Sequence, residues 1–68
     1  MAKITLRAAR VNAGLKQKEV AEMLGISNKT LSSWESGDSY PRADQVARLC
    51  SLYRLSYNDI NFLPADTL

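Results

Sequence analysis

A run of short polar side chains between residues 28 and 36 could do chemistry, and that chemistry is hydrogen bonding. Stepped at about 100° per residue, an α-helix here carries Lys29, Ser32, Ser33 and Ser36 on one side, with Asn28 at its N-terminal edge. Such a face can lie against the floor of a DNA major groove, where base edges present donors, acceptors and the thymine methyl group. An ordinary solvated helix face has the same composition. The face alone therefore leaves both interpretations open.

The sequence does not contain the residues that catalysis or metal binding would require. The sequence has no histidine and a single cysteine, Cys50, so it offers no metal-ligand set and no Cys–His nucleophile. No glycine-rich phosphate loop is present either. We therefore predict no catalytic residues, no metal, no cofactor, no small-molecule ligand and no enzyme activity.

The composition of the 68 residues is that of one small globular domain, and we assign residues 1–68 to it. The net charge of +2 is only weakly basic. A lone cysteine on an apolar stripe is typical of a core residue and of a reducing compartment. No apolar run approaches the roughly 18 residues of a membrane span. A cytoplasmic protein is the expectation.

Two short helices joined by a tight turn must position the polar face. The first runs from about Gln17 to Leu24, Gly25 suits the left-handed position that ends it, and Ser27 can cap the next helix. This arrangement is the helix-turn-helix signature. Trp34 falls with the apolar residues of the second helix, so packing in the core is favoured over stacking on bases.

Three more helices complete an all-α, five-helix prediction. The first runs from about Leu6 to Ala13 with Thr5 as N-cap, and the fourth from about Ala43 to Arg54. Ser56 and Asp59 resemble a capping box for a fifth helix to about Phe62. Strands are not expected beyond the first few residues. Leu55, Ile60 and Leu63 are expected to close the core.

The whole pattern resembles the Cro/C1-type (XRE-like) helix-turn-helix regulators, including the DNA-binding domains of lambdoid phage repressors. The matching residues are Leu6, Arg10, Gly14-Leu15, Gln17, Val20-Ala21, Leu24-Gly25-Ile26-Ser27, Leu31, Trp34-Glu35, Gly37, Pro41, Val46, Leu49, Leu55-Ser56 and Ile60. They cover the chain from about Thr5 to Leu63, the expected domain core of residues 5–63. The resemblance implies a lambda-repressor-like fold whose second and third helices form the helix-turn-helix.

The exposed residues of the helix-turn-helix predict how the domain would meet double-stranded DNA, and the resemblance implies the phosphate contact of Gln17. The third helix would enter the major groove, with Asn28 facing an adenine, Lys29 a guanine, and Ser32 and Ser33 nearby base edges. The backbone would be held by side chains that can meet phosphates: Gln17, Lys16, Lys18, Ser27, Ser36, Ser39, Tyr40 and Arg42. Lys16 and Arg42 stand where the family usually has a capping Ser or Thr, so each exchanges a cap for a cation.

Arg10 lies on the inward stripe of the first helix, where a cation needs a partner. Glu35, on the inward side of the third helix, is the acid that can be placed beside it, and the resemblance implies the same ion pair. We interpret the pair as structural. The alternative is that Arg10 reaches outward to a phosphate.

A domain of this size touches few base pairs, so a homodimer on a palindromic operator is the expected assembly, at least on DNA. Tyr57, Phe62 and Leu63 are the candidate dimer contacts; the alternative is that they only finish the core of a monomer. The expected function is a transcription regulator at the bacterial nucleoid, of the phage or mobile-element repressor kind. An antitoxin-type partner of a toxin and a helical protein-interaction module remain alternatives.

Overall fold

The computed structural model describes residues 3–62, which fold as a small helical domain. In chain order the elements are β1 (Ile4–Thr5), α1 (Leu6–Asn12), α2 (Gln17–Leu24), α3 (Asn28–Ser36), α4 (Ala43–Tyr53), a 3-10 turn (Tyr57–Asp59) and β2 (Ile60–Asn61). The prediction of a helical domain with a helix-turn-helix is confirmed.

Local capping sets the bounds of the first three helices. The Thr5 hydroxyl accepts a hydrogen bond from the Ala8 backbone N–H at 3.0 Å, and Ser27 accepts one from Thr30 at the same distance. Gly25 ends α2 in the left-handed conformation, with φ of 69°. Glycine adopts this φ without the steric penalty of a Cβ atom. The predicted turn between α2 and α3 is therefore confirmed.

The core is formed where the inner faces of the four helices meet the second strand. Its buried residues are Leu6, Ala9, Val20, Ala21, Leu24, Leu31, Trp34, Leu49, Tyr53, Ile60 and Phe62. Trp34 is only 7% exposed, which confirms its predicted inward orientation. Cys50 packs against this core as a half-buried residue. Burial is the main factor that raises the pKa of its thiol.

The predicted fifth helix is wrong. The Asp59 carboxylate accepts hydrogen bonds from both the backbone N–H and the hydroxyl of Ser56, each at 3.0 Å, and these bonds close a single turn that ends at Asp59. The chain then extends as β2, which pairs in parallel with β1 so that Ile4 lies opposite Ile60. Pairing with a strand from the start of the chain buries Ile60, and this pairing replaces the fifth helix.

The C-terminal end differs from the sequence prediction in one further respect. Phe62, one of the candidate dimer contacts, is buried in the core, and its ring stacks on that of Tyr57 with centroids 5.6 Å apart. Leu63 lies outside the described residues. The helix α4 ends at Tyr53, close to the predicted bound, and Arg54 follows it with a left-handed φ of 58°.

Among residues 3–62, no helix combines the length and apolar character needed to cross a membrane.

Candidate nucleic-acid interface

An ion pair ties α1 to the inner side of α3. Arg10 Nε lies 2.8 Å from Glu35 Oε2, and a second guanidinium nitrogen lies 3.3 Å from Oε1. The third nitrogen donates to the Leu15 carbonyl at 3.0 Å. The two side chains are only 12% and 5% exposed, and the hydrogen bond to Glu35 raises the pKa of Arg10 against the opposing effect of burial. The resemblance implied this pairing, and the geometry suits a structural role.

The first residue of α2 joins the same network. Gln17 Nε2 donates to Glu35 Oε1 at 3.2 Å, so one carboxylate holds side chains from both α1 and α2. At the start of α2, the backbone N–H of Lys16 donates to the Glu19 carboxylate at 2.8 Å, while Lys16 provides no side-chain cap. The Lys16 ammonium is left on the exposed surface at the start of the helix.

Three of the four predicted base-reading residues lie on the exposed face of α3. Asn28, Lys29 and Ser32 are exposed, whereas Leu31 and Trp34 on the opposite face are buried. The exposed face therefore contains an amide, an ammonium group and a hydroxyl, the groups that hydrogen-bond to base edges.

Ser33 is the fourth of these residues, and its surroundings differ. It is half-buried, and its hydroxyl accepts a hydrogen bond from the Ser39 hydroxyl at 2.9 Å. Its backbone carbonyl also accepts from the N–H groups of Asp38 and Ser39, at 3.0 and 3.4 Å. Ser33 thus holds the loop that follows α3. A helical projection cannot reveal this contact, because Ser39 lies outside the helix.

Some of the remaining predicted phosphate-contact residues are exposed, and others form hydrogen bonds within the protein. Lys18, Tyr40 and Arg42 are exposed, and Arg42 lies 3.7 Å from Asp44 in a loose surface pair. Ser27 is occupied as the cap of α3. Ser36 lies within 3.2 Å of the Asp38 carboxylate, which places a negative charge beside that hydroxyl.

A groove of about 400 Å³ lies between α1, the start of α2 and α3. Its lining residues are Arg7, Arg10, Gln17, Ser32, Glu35 and Ser36. Arg7 was not among the predicted site residues, because helical spacing places it beside Arg10 but does not show that α1 packs near α3.

In the part of the chain that the structure describes, no group of three or more acidic, histidine or cysteine side chains is placed to hold a metal ion.

Comparison with known proteins identifies the family. The sequence model for "Helix-turn-helix" domains matches residues 6–60. The chain is similar to the HTH-type transcriptional regulator ImmR of Bacillus subtilis, at 43% identity over 75% of this chain and 40% of that protein. It is also similar to the HTH-type transcriptional activator BcrR of Enterococcus faecalis, at 27% identity over 81% of this chain and 27% of that protein. The chain thus spans less than half the length of either relative, and no solved structure matches it significantly. The match covers both helices of the motif and the elements around them, so this chain belongs to the Cro/C1-type helix-turn-helix family.

Proposed function

We propose that this chain binds double-stranded DNA at specific sequences and regulates transcription, with α3 inserted into the major groove. The observation that carries the proposal is the two-sided character of α3, whose apolar residues Leu31 and Trp34 are buried while Asn28, Lys29 and Ser32 are exposed. Helix-turn-helix proteins dock with the N-terminal residues of the second helix against base edges. These are the positions that Asn28 and Lys29 occupy.

The base contacts follow from the geometry of the side chains. The amide of Asn28 suits adenine N6 and N7, and the ammonium group of Lys29 suits guanine O6 and N7. Ser32, one turn further along the exposed face, reads a neighbouring edge directly or through water. Ser33 is removed from this set because its hydroxyl is bonded to Ser39. The proposed reading surface is therefore three residues.

The phosphate contacts lie on two sides of α3. On one side are Gln17, whose amide Glu35 holds, and the exposed cations Lys16 and Lys18. On the other side are Tyr40 and Arg42, in the loop that Ser33 fixes through Ser39. Contacts to the backbone orient the protein and carry no sequence information, whereas base contacts supply specificity.

In its finer form, the proposal is a homodimeric repressor of the phage or mobile-element kind. Two protomers reading a palindrome would place their α3 helices about 34 Å apart, one helical turn of DNA. Tyr57 is 60% exposed and stacks on Phe62, so its ring is an aromatic surface that a dimer contact could use. A bound dimer overlapping a promoter represses by excluding the polymerase. A promoter reporter that carries the operator tests whether the protein represses or activates transcription.

Selection of bound duplexes from a random library tests the function directly. We expect a palindromic consensus in which Asn28→Ala and Lys29→Ala each relax one position. Affinity should fall steeply with added salt, because contacts to several phosphates release counterions. Absence of binding to any duplex at low salt, by a protein that circular dichroism shows to be folded, would refute the proposal.

A further inference from the structure

We propose that Arg7 binds a DNA phosphate in the groove between α1 and α3, as a backbone contact additional to those of Gln17, Lys16 and Lys18. The inference rests on the proposed function and extends it. Arg7 is exposed and lines the groove of about 400 Å³ together with Gln17 and Ser32. The groove therefore joins a base-reading residue, the start of α2 and an arginine that no motif singled out.

The charges around the groove explain why Arg7 matters there. Glu35 lines the groove and would repel a phosphate, but Arg10 neutralises it through two hydrogen bonds at 2.8 and 3.3 Å. Among the residues that the structure describes, Arg7 is in no ion pair. The three charged side chains of the groove thus sum to one net positive charge, and Arg7 supplies it.

The donors around the groove match a phosphate rather than a base. Gln17 is the first residue of α2, where backbone N–H groups lack partners within the helix and the helix dipole favours an anion. Glu35 uses one hydrogen of the Gln17 amide and thereby fixes the orientation of that side chain. A guanidinium group adds planar, paired donors of the geometry that phosphate oxygens accept. With α3 in the major groove, this groove lies beside it, where the sugar-phosphate backbone runs.

The first experiment compares charge removal inside and outside the groove on the operator that selection yields. Arg7→Gln should weaken binding by about tenfold on every duplex, the weak end for a hydrogen bond to a charged group. It should also make the log–log salt dependence shallower by about one unit. Arg7→Lys should recover part of the affinity. Arg54→Asn is the matched control, because it removes the same charge away from the groove and asparagine tolerates the left-handed φ at that position.

The second experiment neutralises single phosphates of the operator as methylphosphonates. We expect one position in each half-site where the wild-type protein loses affinity and Arg7→Gln loses none. Equal behaviour of Arg7→Gln and Arg54→Asn would overturn the inference while the wild type still binds its operator, so failure here differs from failure of the proposed function. A changed consensus for Arg7→Gln would overturn it as well. Saturable binding of inorganic phosphate to the groove without any change in DNA affinity, measured at constant ionic strength, would also overturn the inference.

Discussion

Gln17 Nε2 lies 3.2 Å from Glu35 Oε1, so the first residue of α2 is hydrogen-bonded to the inner side of α3. The same carboxylate also binds Arg10 of α1. Three helices are therefore held together at one acidic group. This group lies under the surface that we propose for DNA, so its loss should affect both stability and binding.

Replacement of Glu35 is the most destabilising substitution that we expect. Glu35→Ala leaves the largely buried Arg10 guanidinium without its counter-charge, and the free energy of unfolding should fall by about 3–5 kcal/mol. Glu35→Gln keeps acceptor capacity for Gln17 and should lose less. Urea denaturation measures both, with Glu22→Ala, an exposed acid on α2, as the control. Equal stability of Glu35→Ala and the control would contradict a structural role for the ion pair.

Ser33 should contribute to affinity and not to sequence preference. Ser33→Ala and Ser39→Ala each remove the same hydrogen bond, and each should weaken DNA binding by about 0.5–1.5 kcal/mol, the net contribution of a neutral hydrogen bond. The double variant should cost no more than either single one, since both remove one shared contact. Binding isotherms on the selected operator and on single-site variants of it provide the measurement. A shift in the preferred base for Ser33→Ala would instead make Ser33 a base-reading residue.

Lys29 is expected to be the strongest single determinant of sequence. Lys29→Ala should reduce discrimination at one base pair by about 1–3 kcal/mol, because it removes the proposed contact to a base edge. Lys18→Ala, with the same loss of charge on exposed α2 surface, should weaken binding to all sequences alike. Repeating the library selection with both variants separates the two effects. A uniform loss for Lys29→Ala would reassign it to a phosphate.

Tyr53 should make the fold sensitive to alkaline pH. Its side chain is buried, and burial, followed by the charge of Glu35, raises the pKa of its hydroxyl from 10.0 to about 12. Below pH 10 the Tyr53 hydroxyl is protonated in both the folded and the unfolded state, so it causes no loss of stability there. Stability falls as pH rises toward 12, because the unfolded chain loses the proton first. The loss attributable to this group is about 2–3 kcal/mol.

Tyr53→Phe isolates that contribution. Among the described residues, the Tyr53 hydroxyl has no hydrogen-bond partner, so its removal should leave stability at neutral pH unchanged or raise it by about 1 kcal/mol. The stability of this variant should decline less than that of the wild type between pH 10 and 12. Tyr57→Phe, at an exposed site, is the control. Parallel pH profiles for the wild type and Tyr53→Phe would show that the phenol does not titrate as described.

Arg54→Gly should stabilise the domain. Arg54 adopts a φ of 58°, which disfavours a residue with a Cβ atom. Glycine relieves that strain but adds freedom to the unfolded chain, so the expected net gain is about 0.5–1 kcal/mol. Arg54→Ala keeps the Cβ atom and should show no gain. Thermal unfolding of the two variants decides between strain at this position and a specific benefit from arginine.

The helix-turn-helix could be predicted from sequence because its signals are local. Thr5, Ser27 and Gly25 act within a few residues of their own positions, and the apolar spacing of Leu31 and Trp34 fixes the orientation of α3. These features depend on one helix at a time. Periodicity and capping are therefore sufficient to find them.

The features that the sequence did not reveal depend on contacts that reach outside a single helix. Ile60 forms a strand because Ile4 lies beside it, and Ser33 loses its outward hydroxyl because the loop brings Ser39 back to it. Arg7 gains its place in the groove only once α1 packs near α3. Neither propensity nor helical phase contains this information.

The parallel pairing of Ile4 with Ile60 has a consequence for how the domain is assembled. Parallel neighbours require a crossover between them, and here that crossover contains every α-helix of the described chain. This pairing thus joins two segments on either side of the helix-turn-helix, and contacts of such large sequence separation are slow to form. A fragment that contained only the helix-turn-helix would lack the pairing of these two strands.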